Sequence, residues 1–378
     1  MNTPTIAISG AGLAGLTLAR ILHVNGIAAS VYDLDPSANS QPQGGMLDIH
    51  EESGQAALRA ARLFEAFTAR IHPGGEAMRV LDKHAVIHMA DDGNGDRPEV
   101  NRGVLRDLLI GSLPAGTIRW GSKVTGARTR ADGRHDVALA DGSTFAVDLV
   151  VGADGAWSRI RPLVSAVTPI YSGVSFIELH LLDADERHAD AAAVVGGGVL
   201  FALAEEKALI FHRDPDGRLH GYIALKTLAD WGRTIDFTDT DAAKALLLEH
   251  FAGWDERLQG LITGADGALT PRTIHALPVG HRWDRTPGVT LVGDAAHLMS
   301  PFAGEGANLA MQDGAELALA LVAHGADIET ALAQYEAALF PRGAAAAAGS
   351  VVGLAAAFTP DAPREFVALM ASHGAEGA

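Results

Sequence analysis

The amino-acid sequence predicts an α/β fold in which a parallel sheet with helices on both faces is interleaved with a second, β-sheet unit. Three observations predict it. Apolar, strand-like runs end in glycine and an acid at three distant places, near Gly10, Gly152 and Gly293. Helical apolar spacing follows the first and third of these runs. Between the second and third lie "GVLFALAEEKALIFHRD" and "RLHGYIALK", which turn at Asp214–Gly217 and read as antiparallel strands.

The bounds agree with two interleaved domains. The chain has 378 residues, of which 48% are hydrophobic, enough for a sizeable core. Its net charge of −17 repels nucleic acid and anionic membranes, so neither is an expected partner. Cysteine is absent, which excludes disulfides, thiolate metal sites and dithiol redox chemistry. The 16 histidines are scattered, and pairs such as His72/His84 and His84/His88 lack a supporting carboxylate pattern, so no metal is expected. Nothing basic precedes the apolar N-terminal run, and no short cleavage site follows it. The Ala/Gly-rich run Gly343–Phe358 falls short of the about 20 strongly apolar residues a spanning helix needs. It reads as a closely packed helix, and the protein is expected to be cytoplasmic.

The first element is the strand "TIAIS", followed by Gly10, Gly12 and Gly15 and a helical run that Gly26 ends. A second strand, "IAASVYD", closes on Asp33. Strand, glycine turn, helix, strand and acid in this order predict dinucleotide binding. Gly10 allows the tight turn, Gly12 lets a pyrophosphate approach, and Gly15 lets helix and strand pack. The helix N-terminus offers bare N–H groups to phosphate, and Asp33 is placed for the ribose hydroxyls. Taken alone, the motif suits FAD or a nicotinamide dinucleotide.

Next comes "EVNRGVLRDLLIGSL", a helix with Arg102 and Arg106 on one face. The second strand-and-acid motif is "DLVVGADGAWSRIR", with Gly152, Asp154, Gly155, Ser158 and Arg161. The third is "GVTLVGDAAHLMSPFAGEGAN", with Gly293 and Asp294 at the strand end and a helix after it. Convergence of three such strand ends on one long ligand is the economical reading.

Together these motifs resemble the FAD-binding fingerprint of single-component (class A) aromatic-ring flavoprotein monooxygenases, the para-hydroxybenzoate hydroxylase family. The resemblance runs from Thr5 to about Gly325. It implies a bound FAD, with NADPH or NADH visiting without a second dinucleotide fold. It further implies that Asp294 bonds a ribityl hydroxyl and that Arg102 and Arg106 reach the FAD phosphates and ring edge. The loop formed by Pro301, Phe302, Gly304, Gly306, Ala307 and Asn308 would lie against the pyrimidine end of the ring. Its bare N–H groups would face N1 and O2, where charge collects on reduction. His297 is expected to be packed and hydrogen-bonded near the flavin, without a catalytic role.

The segment Gly44–Phe67 is also similar to the matching part of the tetracycline-inactivating flavin monooxygenases. The similarity implies that Asp48 lies near the flavin, and "RLHGYIALK" places His220 where those enzymes use a histidine to contact substrate. Departures accompany it. Glu178 stands where those enzymes have glutamine, and Val199 or a neighbour where they have arginine. Small Ala and Val side chains replace larger ones on the C-terminal helix. Leu34 follows Asp33 where the family often has arginine, and Glu305 replaces a common glutamine.

The expected architecture is thus a Rossmann-like FAD-binding domain (1–70, 100–165 and 280–325) interleaved with a β-sheet substrate domain (71–99 and 166–279). A C-terminal helical segment, 326–378, bridges them. The expected activity is NAD(P)H- and O2-dependent hydroxylation of a planar polycyclic phenol or enol, tetracycline-like antibiotics among them, through a flavin C4a-hydroperoxide. His220, Glu178 and Phe302 are the expected substrate contacts, and no catalytic base is assigned. The expected partners are a small aromatic or polyketide substrate and O2, with the chain a monomer or weak homodimer. Two rivals are an oxidoreductase or halogenase-like flavoenzyme acting on another small aromatic, and a non-catalytic flavin-scaffold binding protein. No tryptophan-rich halogenase signature occurs, and the intact Asp294 and following loop favour catalysis over binding alone.

Overall fold

The computed structural model describes residues 4–38, 40 and 45–376; Gly44, which opens the segment quoted above, lies outside them. Five parallel strands form the first sheet, in the order Val289–Leu291, Leu149–Gly152, Ile6–Ser9, Ser30–Tyr32, Ile118–Arg119. The three strands that end in the glycine motifs are neighbours. Every residue of each is buried, so both faces of the sheet centre are covered and the strands read as unbroken apolar runs. Helix Leu13–Val24 packs against helix Gly306–His324. Gly314 makes that contact possible, because a Cβ there would come within 2.5 Å of Ala14 O.

The second sheet has seven strands, ordered Asp266–Ala276, Ile170–Leu181, Leu219–Lys226, Lys207–Arg213, Val199–Ala204, Met78–Leu81, Ile87–Asp91. The expected turn at Asp214–Gly217 joins two antiparallel strands. The run "GVLFALAEEKALIFHRD" is itself a hairpin, turning at Glu205 and Glu206 with φ of 54° and 63°. Glutamate is a poor signal for such a turn, which favours Asn-Gly or Asp-Gly. The sheet is mixed, since Val199–Ala204 pairs parallel with Met78–Leu81.

Alternation gives this sheet two faces. Ile177, Leu179, Leu209, Phe211 and Ile223 join a core with residues of helices Ala189–Val195, Thr240–His250 and Glu256–Thr263. Val174, Phe176, Ala208, Ile210 and Ala224 join a different cluster, with Phe302, Phe358 and Phe366. A three-stranded antiparallel sheet, Val124–Thr129, His135–Leu139 and Thr144–Val147, and an antiparallel pair, Met46–Asp48 with Glu99–Asn101, complete the described strands, and neither was anticipated.

Helix Ile328–Ala357 is longer than the run read from sequence and passes through Pro341. It is long and apolar enough to cross a membrane by length and composition. One face of it is buried in protein. Ala331, Leu332, Tyr335 and Leu339 enter the core of the parallel sheet, and Ala356 and Ala357 enter the aromatic cluster of the second. The helix therefore bridges the two cores. Small residues let it approach closely: a Cβ on Gly353 would come within 2.2 Å of Phe302 O.

Candidate functional site

Register places the three motifs at one edge. Ser9 pairs with Gly152, and Gly152 with Leu291, so Gly10, Asp154 and Gly293 leave the sheet on the same side. Gly10 has φ of 110°, and a Cβ there would sit 2.3 Å from Ala153 O. A Cβ on Gly15 would sit 2.2 Å from Gly10 O, whereas one on Gly12 would meet nothing within 4 Å. Two glycines are thus required by the protein itself, and the third faces open space.

The acids divide in the same way. Asp33 Oδ2 accepts the Ala11 N–H at 2.6 Å and its Oδ1 the Asp35 N–H at 2.8 Å, so it braces the glycine turn. Asp154 Oδ2 accepts the Arg159 N–H at 2.8 Å, while its Oδ1 is buried without a partner among the described residues. Asp294 opens a short helix, and no side-chain cap bond forms there. Its carboxylate is exposed at the strand end. Its main-chain oxygen accepts from Arg161 at 3.1 Å, and Arg161 also donates to Ala295 O at 2.8 Å and Ala156 O at 2.9 Å. Arg161, in the second motif, therefore ties that motif to the third.

Arg106 is 3% exposed and donates to Ala11 O at 3.1 Å and Ala38 O at 2.9 Å, with Asp35 Oδ2 3.5 Å away. It shapes the glycine turn from behind. Arg102 opens helix Arg102–Gly111, and its main-chain N–H donates to Gly45 O at 3.0 Å.

The loop after Asp294 is built on buried polar contacts. Pro301–Ala303 forms a 3₁₀ turn, Gly304 adopts φ of 69°, and Gly306 and Ala307 open helix Gly306–His324. The first N–H groups of such a helix have no intrahelical acceptor and carry partial positive charge. Asn308, fully buried, donates to Asp48 O at 2.9 Å and accepts the His50 N–H at 2.9 Å. Strand Met46–Asp48 is thereby fastened beside the loop. Asp48 Oδ2 lies 2.7 Å from His50 Nε2 and 4.0 Å from where a Gly304 Cβ would be. Behind the loop, Asp313 accepts from Gly293 N–H at 2.8 Å and Arg342 at 2.9 Å, and lies 2.6 Å from His297 Nε2. His297 is packed and hydrogen-bonded, as expected. Asp313 and Arg342 were missed, although Asp313 stands only five residues beyond the quoted third motif.

His220 and Glu178, two of the residues expected to contact substrate, share one face of the seven-stranded sheet. His220 Nε2 lies 3.1 Å from Glu178 Oε1, and Arg272 donates twice to Glu178 Oε2, at 3.0 and 2.8 Å. The His220 hydrogen bond, with further help from Arg272, outweighs burial and holds the Glu178 carboxyl down at about 2. Tyr222 packs on His220 and Phe176. Burial, with the nearby Glu178 charge, pushes its phenol up to about 12. Phe302 is 7% exposed and meets Phe176 edge-on at 6.1 Å and Phe358 at 5.4 Å. It sits where the loop meets the sheet. Arg272, His180 and Tyr222 were not singled out from sequence; period-2 alternation through Phe176, Glu178 and His180 was the available signal.

The open approach at Gly12, the exposed Asp294 and the unpartnered Asp154 oxygen, at one sheet edge beside a helix N-terminus, fit an extended dinucleotide. Fold and site together define a dinucleotide-binding oxidoreductase with a second β-sheet beside the dinucleotide site. The chain belongs to the FAD binding domain family, which it matches over residues 2–350, and it is an FAD-dependent monooxygenase. It is 32% identical to monooxygenase asqM of Emericella nidulans, over 97% of this chain and 98% of that one. Its fold matches that of Klebsiella pneumoniae HpxO complexed with FAD and uric acid, with TM-score 0.80 and 22% identity over 99% of this chain and 92% of that one. It also matches the fold of tetracycline destructase Tet(51), with TM-score 0.72 and 20% identity over 98% and 96% of the two chains.

Proposed function

We propose that this monooxygenase hydroxylates a planar polycyclic phenol or enol, drawing electrons from NADPH or NADH and the oxygen atom from O2. FAD, when bound, would supply the redox chemistry, carrying electrons from the nicotinamide to dioxygen. The protein supplies binding and electrostatics. Gly10, Gly12, Gly15 and the helix N-terminus behind them receive the diphosphate. Asp294 and Asp154 offer free carboxylate oxygens to hydroxyl groups of the cofactor. The main-chain N–H groups at the start of helix Gly306–His324 would stabilise negative charge that develops on the ring. Segments 1–70, 100–165 and 280–325 serve the cofactor in this reading, and 71–99 and 166–279 the substrate.

One observation carries the proposal: the Phe302–Phe176 contact sets the loop against the sheet face that bears Glu178, His220 and Tyr222. Aromatic surface there suits a flat ring, and the polar groups suit its oxygens. The uric acid of the HpxO complex and the tetracyclines named for Tet(51) are fused-ring compounds, which supports the substrate class. Incubation of the yellow protein with NADPH or NADH in air and a panel of such compounds, read by mass spectrometry, tests it. A substrate-dependent gain of one oxygen is expected. No gain across the panel, with nicotinamide oxidation unstimulated, would contradict it.

A further inference from the structure

Asp48, His50 and Glu305 form a row in which a buried imidazole stands between two part-exposed carboxylates. His50 Nε2 lies 2.7 Å from Asp48 Oδ2, and its Nδ1 lies 3.6 Å from Glu305 Oε1. The imidazole is 8% exposed, against 35% and 34% for the two acid side chains. The main chain pins the ring in place. The His50 N–H donates to Asn308 Oδ1 at 2.9 Å. The His50 carbonyl accepts the Gln55 N–H at 2.9 Å, closing the π-helical turn Glu51–Gln55. Such turns are rare and gather at functional sites. A Cβ on Gly54, inside that turn, would come within 2.5 Å of Asn308 Oδ1, so the turn sits tightly against the start of helix Gly306–His324.

The protons on this row follow from its geometry. Burial disfavours the Asp48 charge, but the His50 hydrogen bond and charge, then Arg97, outweigh it and lower the Asp48 pKa. An ionised carboxylate only accepts, so His50 Nε2 carries a proton. In the neutral ring Nδ1 then holds a lone pair that faces Glu305. That lone pair and the carboxylate repel, whereas a proton on Nδ1 makes the contact attractive. Glu305 immediately precedes helix Gly306–His324, and its side chain makes no capping bond there. Its carboxylate therefore stands beside the helix end whose N–H groups would serve the FAD ring. Two negative charges at one helix end compete for the same partial positive charge.

We propose that His50 takes up a proton at Nδ1 when the cofactor is reduced, so that its imidazolium neutralises Glu305 beside the ring. Two electrons from the nicotinamide put negative charge on the ring. One proton leaves water, enters past the part-exposed Glu305 and forms an N–H bond at Nδ1; no bond of the protein breaks. The row thus gains one positive charge as the ring gains a negative one. His50 acts through Glu305 and is a positioning residue. The inference rests on the reading that this helix end serves the FAD ring, and adds a redox-linked proton site to it. The other groups around the row hold their charge in the neutral range. Glu99 lies opposite Asp48 in the two-stranded pair, and burial, then Asp48 and Glu76, pushes its carboxyl up to about 8, so it is neutral below that. His212, which senses Asp48 from the second sheet, is held down at about 4, by burial first, and stays neutral. Arg97 stays charged. Glu51 and Glu52, on the turn itself, are exposed.

The test is the reduction potential of the FAD-loaded protein, read from its flavin absorbance over about pH 5.5–7.5, where Glu99 stays neutral. Wild type is compared with Glu305→Gln, which keeps the shape of the side chain, cannot ionise and can donate to an unprotonated Nδ1. The wild-type potential should fall more steeply with pH, by up to one extra proton per two electrons. That is a tenfold change per pH unit, or about 30 mV. Parallel lines, with the variant shifted by a constant amount, would overturn the proposal and leave the helix end beside the ring. Superimposed lines would overturn it and count against that reading as well, so the two failures are distinguishable. A second arm is nitrogen NMR of histidine-labelled, FAD-loaded protein, oxidised and dithionite-reduced, with His50→Gln for assignment. The protonated fraction at His50 Nδ1 should rise on reduction at fixed pH while Nε2 stays protonated. An unchanged fraction would overturn the proposal.

Discussion

Asn308 and Asp48 are joined by a side-chain-to-main-chain hydrogen bond of 2.9 Å across 260 residues of sequence. With the return bond from His50 N–H, the Asn308 amide is the clasp between the loop that follows Asp294 and the strand Met46–Asp48. Asn308→Ala would leave a buried carbonyl and a buried N–H unpaired, at a cost of about 2–4 kcal/mol. Urea denaturation should show the loss, and FAD should be held more weakly. Unchanged stability would contradict the clasp.

Asp294 should behave in the opposite way. Its carboxylate is exposed and caps no helix, so Asp294→Ala should change stability by no more than about 0.5 kcal/mol. The purified variant should nevertheless be colourless. A folded, fully yellow Asp294→Ala protein would remove Asp294 from the cofactor site.

The motif glycines separate by the same logic. Gly15→Ala drives a Cβ into Gly10 O, and a cost of about 1–3 kcal/mol or failure to fold is expected. Gly12 has an ordinary φ of −81° and open space around its Cβ position. Gly12→Ala should therefore fold normally and lose FAD affinity. Thermal melts paired with flavin content decide between these outcomes.

His297 predicts an alkaline limb in stability. Burial disfavours its imidazolium, but the Asp313 carboxylate at 2.6 Å outweighs this and raises its pKa. A raised histidine pKa contributes stability that is whole below the unfolded value, about 6.5, and is lost as pH rises through the folded value. Urea midpoints should fall over that interval, and His297→Asn should flatten the fall. A wild-type profile already flat there would contradict the pairing.

Glu178 predicts an acid limb. Its hydrogen bond to His220, then Arg272, lowers its pKa to about 2. Its stabilisation is present above the unfolded value of about 4.3 and fades as pH falls toward about 2. Glu178→Gln should reduce the slope of unfolding free energy against pH in that window, and an identical slope would refute it.

The parts of this molecule legible in its sequence are those governed by local backbone rules. Gly10, Gly12 and Gly15 could be assigned separate tasks because each task is a constraint on φ or on Cβ, and the structure gives each a different surrounding. The bridging helix was legible from its composition, though its start was not. Pairings across the chain were hidden. Nothing near Arg106 in sequence says that its guanidinium turns to Ala11 O and Ala38 O. Asp313 and Arg342 lie on different helices, and their ion pair depends on how those helices pack. The rank of His180, His220 and His212 exists only once strand register is known, since a shift by one residue would turn them to the other face.

The central claim is that three distant strand ends form one cradle for one FAD. The direct measurement is the ratio of FAD to polypeptide in protein produced with ample riboflavin, from the visible flavin band against protein concentration. One FAD per chain, released only on denaturation, is expected. A folded, colourless protein that takes up no FAD from solution would contradict it.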